Sequence, residues 1–190
     1  MTQKAILAKL DALLEPLDFM RTRAAWNRRS ECFIEVIDVQ VSKAGDAATV
    51  NAGVLDTTAH VKLWGSEPPE FVEETACTVR ARVGELIDGK DLWWPVEGDH
   101  AIDQVSKAVC VHVLPFVERM CSRESMVQWL IDTQVVKKKY PPSIINLAIL
   151  QSLVGRSSEA CALLAEMQTK AVGAWRAKAA EVAVRLGCAK

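Results

Sequence analysis

The sequence contains no run approaching the roughly 20 apolar residues that a helix needs to cross a bilayer. Its first residues, Met1-Thr2-Gln3-Lys4-Ala5-Ile6-Leu7-Ala8-Lys9-Leu10-Asp11, mix lysine and acid with the apolar side chains, so they lack the core of a signal peptide. Charge of one sign is missing too. With 23 Lys and Arg against 24 Asp and Glu, the net charge of −1 gives no overall attraction to nucleic acid or an anionic membrane. Cysteines at 32, 77, 110, 121, 161 and 188 form no Cys-x-x-Cys pair and fall mostly on apolar faces, so they are expected as reduced, buried, small hydrophobes. These absences point to a cytoplasmic protein with no membrane segment.

Chemical signatures are equally sparse. There is no Gly-x-Ser-x-Gly, no His-Glu-x-x-His and no phosphate-cradling glycine loop. Cys110 and His112 lie two apart on an expected helix and face apart, and His100 and His112 are isolated, so no metal and no cofactor is expected. Glu35 and Asp38 point to opposite faces of one strand, so an acid/base pair would need a partner from elsewhere. An enzyme is neither predicted nor excluded.

What is present is a globular balance. Of 190 residues, 50% are hydrophobic and 25% charged, enough for a substantial core in one domain with a helical extension. Ile6, Leu7, Leu10, Leu13, Leu14 and Leu17 mark one face of an amphipathic helix over 2–15, with Thr2 as its cap, Pro16 as its stop and a sheet as its partner. Three strand-like runs follow, Met20 to Arg29, Glu31 to Ser42 and Ala47 to Leu55, joined by short polar turns that predict an antiparallel meander. Residues 56–74 read as a long surface connection or lid with a short helical or extended piece near Val61 to Trp64.

The run Cys77-Thr78-Val79-Arg80-Ala81-Arg82-Val83 alternates strictly. Cys77, Val79, Ala81 and Val83 point to one face; Thr78, Arg80 and Arg82 point to the other, setting two guanidinium groups roughly 7 Å apart. Gly84 to Leu92 reads as a turn leading to Trp93-Trp94-Pro95. After Glu97 the period is helical: Ile102, Val105, Val109, Val113, Phe116 and Met120, with Asp99 as a cap and Pro115 as a bend or restart, then a short helix from Ser122 to Trp129. Lys137-Lys138-Lys139-Tyr140-Pro141-Pro142 reads as an exposed linker. Beyond it, Ser143 to Val154, Ser158 to Thr169 and Ala174 to Leu186 are helices with Gly155, Gly173 and Gly187 as stops, the first two patterned like a tetratricopeptide hairpin.

The expected fold is therefore α+β: a four- or five-stranded antiparallel sheet packed against helices in residues 1–136, and an all-helical extension over 143–190.

The ordered segments Leu17-Asp18-Phe19, Trp26-Asn27-Arg28, Val39-Gln40-Val41-Ser42-Lys43, Val50-Asn51-Ala52-Gly53-Val54, Cys77 to Leu86 and Trp93-Trp94 resemble the family called domain of unknown function 4304 over about residues 3–120. In that family a leading helix ends in a leucine- and phenylalanine-bearing element, and Trp-x-Arg, Leu-Gln-x-Ser, Asn-x-Gly and Cys-x-x-Arg-x-Arg-x-Gly segments follow. Asp18 stands where glycine is common and Val39 where leucine is common. The resemblance implies the fold unit and brings no activity, cofactor or catalytic residue.

A meander places Arg80 and Arg82 near Asn51, Thr49, Gln40 and Asp38, a constellation suited to a carboxylate or phosphate; the competing reading is a solvated outer sheet face with Asp38 or Glu35 pairing an arginine. Trp64 and Trp93-Trp94 either line a pocket or close the core. Arg21, Arg23, Arg28 and Arg29 around Trp26 suggest nucleic acid at first sight, yet a charge-protected edge strand accounts for them, and nucleic acid is not expected. The expected function is a noncatalytic ligand-binding or protein-interaction module presenting Arg80, Arg82, Gln40, Asn51, Asp38, Trp64 and Trp93 to a small anion or protein partner. The alternative is an enzyme on a small anionic substrate with Asp38 as base.

Overall fold

The computed structural model describes residues 3–96, 99–135 and 140–188. The Thr2 cap, the side chains of Asp99 and His100, and the Lys137–Lys139 linker lie outside the described residues. No helix among those described is long and apolar enough to cross a membrane. Contacts divide the chain into two units, one running to Leu55 and resuming over Pro69–Arg119, the other combining Asp56–Pro68 with the chain from Met120 onward. The break in the first unit thus falls within the long connection after the third strand-like run, and residues 120–135 group with the C-terminal helices rather than with the sheet.

The first unit is an antiparallel sheet with helices. Helix α1 (Gln3–Leu14) buries Ile6, Leu7, Leu10 and Leu14 of the expected face, whereas Leu13 is half-buried and Leu17, beyond the helix, is exposed. A 3-10 turn through Pro16 ends at Asp18, whose left-handed backbone (φ 63°) turns the chain into the sheet. The strands are β1 (Met20–Thr22), β2 (Ala25–Arg29), β3 (Phe33–Val41), β4 (Ala47–Asp56), β5 (Val79–Arg82) and β6 (Trp94–Pro95). The first five lie in sequence order, and β6 pairs antiparallel with the start of β4. The run expected as one strand from Met20 to Arg29 is two strands. Arg23, at φ 59°, folds the chain back so that Met20 faces Asn27 and Thr22 faces Ala25.

One sheet face carries Trp26, Ile37, Val39, Val50, Ala52, Val79 and Ala81, all buried; Asp11 of α1 accepts the Trp26 indole hydrogen bond at 2.9 Å, fixing the helix on this face. The opposite face is divided. Towards one end Ile34, Val36 and Leu55 are closed by Val72 and Cys77. Towards the other stand Asp38, Gln40, Asn51 and Arg82. The end of the connection expected as surface loop over 56–74 is therefore, through Val72, part of the core cover, as is Cys77 just ahead of β5. Asn27, itself buried, holds it as a backbone would: its Nδ2 donates to the Val72 carbonyl at 3.0 Å and its Oδ1 accepts from the Val72 amide at 2.7 Å.

The alternating run is shorter than its pattern. Val79–Arg82 is strand, and Val83, expected to end that strand, instead opens helix α3 (Val83–Ile87), which takes the first part of the turn expected over Gly84 to Leu92. Glu85 accepts the backbone N–H of Arg82 at 3.0 Å and so stabilises the helix start. Helix α4 (Asp99–Ala108) follows, then a wide π turn over Val109–Val113 before α5 (Leu114–Met120). Pro115 has no N–H to give the Val111 carbonyl, and Leu114 reaches back five residues to Val109 instead. The helix thus restarts at the proline.

The second unit is helical: α2 (Thr57–Trp64), α6 (Arg123–Trp129) with a π turn at Leu130–Val135, α7 (Pro141–Leu153), α8 (Ser157–Lys170) and α9 (Ala174–Arg185). Asp56 caps α2 by accepting from the Ala59 amide at 2.8 Å, and Ser122 caps α6 as expected. Arg123 then binds the fully buried Asp56 carboxylate at 2.6 Å. Helix α7 is buried from Ile145 to Gln151 and forms a hairpin with α8, against which α9 packs. Gly155 and Gly187 end α7 and α9 in left-handed backbone, whereas Gly173 precedes α9 as its N-cap rather than closing α8. One expectation fails here: Cys161 and Cys188 form a disulfide. They are 27 residues apart, and only the fold of α9 onto α8 brings them together. Cys77 remains a buried thiol and Cys110 an exposed one.

Candidate polar site on the sheet

The cross-strand register sets Asn51 opposite Arg82 and Gly53 opposite Arg80. Asn51 donates to Asp38 at 3.2 Å and to Gln40 at 3.1 Å, and its own oxygen accepts from Arg82 Nε at 3.2 Å. Gln40 Oε1 also accepts from Arg82 Nη2 at 3.2 Å. Two amide oxygens thus orient the guanidinium. Its third nitrogen, Nη1, donates to Asp91 at 2.7 Å, and the group lies 5.2 Å from the ring centre of Trp93. Asp38, Gln40, Asn51, Arg82 and Trp93 are therefore one connected track across β3, β4 and β5 and into the loop beyond.

Arg80 shares the face but has a different task. It binds Glu74 at 2.6 Å, and Glu74 is buried, with only 6% of its side chain exposed. Burial pushes the Glu74 carboxyl above its ordinary value, against the pull of Arg80 and with a push from Asp38. Burial raises Asp38 too; the Asn51 hydrogen bond opposes it and Glu73 adds to it. Beside these carboxylates is a groove of about 390 Å³ whose lining includes Thr22, Arg23, Asp38, Phe71, Glu73 and Thr75. Glu73, Glu74 and Asp91 were not singled out from sequence. Glu73-Glu74 reads as loop charge, and Asp91 lies in a turn whose path the residues do not encode.

Of the two carboxylates expected to pair an arginine, Glu35 does so, binding Arg28 on the other face, while Asp38 takes an amide. Thr49, placed near the arginines from sequence, is fully buried. Trp93 joins the track while Trp94 is buried in β6. Trp64 belongs to the second unit, where it is half exposed beneath Lys178, whose Nζ is 5.2 Å from the ring centre. Trp26 is 1% exposed and so offers no stacking surface to a base; Arg21 and Arg28 beside it bind Asp11 and Glu35. Among the described residues no group of three or more His, Cys, Asp or Glu is placed to hold a metal ion.

The fold and this face define an α+β protein built on an antiparallel meander, with a polar track at one end of the sheet. Residues 10–119 match the family described as Domain of unknown function (DUF4304), and the chain belongs to that family. No curated protein and no solved structure matches the chain.

Proposed function

We propose that the protein is a noncatalytic binding module whose site is the sheet face centred on Arg82. The observation that carries this reading is the held guanidinium: two amide oxygens fix its plane while Nη1 points to an exposed group, Asp91, in place of a buried partner. An oriented guanidinium beside an indole suits a planar anionic group on a small molecule or a protein partner. Arg80, on the same face, binds Glu74. The exposed free thiol Cys110 fits a cytoplasmic setting, whereas the Cys161–Cys188 disulfide favours a more oxidising one.

The groove beside Asp38 favours a second reading, an enzyme acting on a small anionic substrate. A carboxyl whose proton is held more tightly than usual is suited to proton transfer, and it lines a space large enough for a small molecule.

A thermal-shift screen of the intact chain against small carboxylates, sugar phosphates and nucleotides tests the first reading. The expected result is a rise in melting temperature with one anionic class, absent in Arg82→Ala. A rise that survives Arg82→Ala but is lost in Asp38→Asn moves the site to the groove and favours the enzyme.

A further inference from the structure

The loop after α3 supplies the Arg82 face with an occupant. Asp91 Oδ1 accepts from Arg82 Nη1 at 2.7 Å, and Asp91 Oδ2 accepts from the Trp93 indole N–H at 3.0 Å. Each carboxylate oxygen therefore receives one donor, and both donors are held from elsewhere: Arg82 by Asn51 and Gln40, Trp93 by its stacking on the guanidinium. The carboxylate is the loosely held member, on a side chain 58% exposed to solvent.

The backbone around it is fixed. A Cβ on Gly84 would stand 2.1 Å from the Lys90 carbonyl oxygen and 2.7 Å from the Leu92 amide, so the loop is seated on bare backbone at the start of α3. Asp91 can leave by side-chain rotation while the loop stays in place.

From this cradle we infer that the ligand of the Arg82 face is anchored by a carboxylate, and that Asp91 holds the carboxylate position in the free protein until the ligand exchanges with it. The inference rests on the reading of this face as a binding site. Two donors set one to each oxygen match a planar carboxylate. Phosphate is disfavoured because Asp38, Glu74 and Glu85 add negative charge nearby and Arg80 is engaged by Glu74. The source of the carboxylate is either a small organic acid or an acidic side chain of a protein.

The test is a titration of the full chain and of Asp91→Ala, Arg82→Lys and Trp93→Phe with acetate, glutarate, a hexaglutamate peptide and inorganic phosphate, followed by the backbone amide signals of residues 80–93 in two-dimensional NMR. An exposed ion pair competes weakly, so Asp91→Ala is expected to tighten carboxylate binding roughly two- to fivefold. Arg82→Lys and Trp93→Phe, each losing part of the cradle, are expected to weaken it. Acetate and hexaglutamate binding equally well points to a small acid; a marked preference for the peptide points to a protein. Equal carboxylate affinity in the parent and Asp91→Ala overturns the exchange while leaving Arg82 as a binding residue. Tighter binding of phosphate than of any carboxylate overturns the ligand class. No shift by any probe in either the parent or Asp91→Ala overturns the binding reading itself.

Discussion

Gly53 on β4 approaches Cys77 so closely that a Cβ on the glycine would stand 2.7 Å from both Cβ and Sγ of Cys77 and 3.0 Å from the Val79 carbonyl oxygen. The contact lies where the chain crosses onto the sheet before β5. Gly53→Ala is expected to cost about 1–3 kcal/mol, the usual range for overpacking a filled core, read as a lower denaturation midpoint. Cys77→Ala in the same chain should restore only part of the loss, because the Cβ at 77 and the Val79 carbonyl remain. A neutral Gly53→Ala would mean that β4 and the 77–79 segment separate easily.

The two arginines that look equivalent in sequence should behave differently. Arg80→Ala strands the buried Glu74, and pairs broken in the interior cost about 3–5 kcal/mol. Because 43% of the Arg80 side chain meets solvent, screening reduces the expected loss to about 1–2 kcal/mol. Arg82→Ala removes hydrogen bonds to the exposed Gln40 and Asp91 and to the buried Asn51, a neutral amide oxygen rather than a buried carboxylate, and should cost less than Arg80→Ala. Chemical denaturation of the two single variants checks the order. Equal losses would make Arg82 a structural residue and weaken its role as a ligand anchor.

Period and turn chemistry made most of this architecture readable in the residues. The α1 face, the Ser122 cap, the three C-terminal helices and the cluster of Asp38, Gln40, Asn51 and Arg82 all follow from local spacing plus one assumption, that short turns join antiparallel neighbours. What escaped reading depends on contacts between distant segments or on single backbone angles. The split at Arg23 turns on one positive φ, which nothing in Arg23-Ala24 announces. The end of the 56–74 connection has a loop's composition, yet Asn27 binds it through side-chain groups that mimic backbone. Asp91 and Glu74 reach the arginines only because a loop and a 3-10 turn carry them there.

The Cys161–Cys188 bond gives a separate prediction for the helical unit. It closes a 27-residue separation, and restriction of the unfolded chain by a loop of that size is worth about 3.5 kcal/mol in the chain-entropy treatment. Cys188→Ser, or a dithiol reductant, should lower the melting temperature of the oxidised protein. Arg185, which donates to the Lys62 and Leu63 carbonyls at 3.1 and 2.7 Å, should then show faster amide exchange around it. Mass spectrometry of an unreduced digest identifies the linked peptides directly. Failure to find that linkage after mild oxidation would show that α9 does not hold the two sulfurs together in solution.

The raised carboxyls give a pH dependence of definite sign. Burial lifts Asp38 above its ordinary 3.8 and Glu74 above its ordinary 4.5, so the folded chain keeps these protons to a higher pH than the unfolded chain does. Their contribution is most favourable at low pH and is lost as pH rises from those ordinary values through the raised ones. Asp91 has the opposite sign. Hydrogen bonds from Arg82 and Trp93 hold its carboxyl below the ordinary range, so its contribution is present above 3.8 and fades as pH falls through the lowered value. Asp38→Asn isolates the first effect, since asparagine still offers Asn51 an oxygen to bind while carrying no charge. The melting temperature of Asp38→Asn relative to the parent should therefore climb as pH is raised from about 4 to about 7. A difference that stays constant across that range would mean Asp38 titrates alike in the folded and unfolded chain, and would remove its claim to be the proton-transfer group in the enzyme reading.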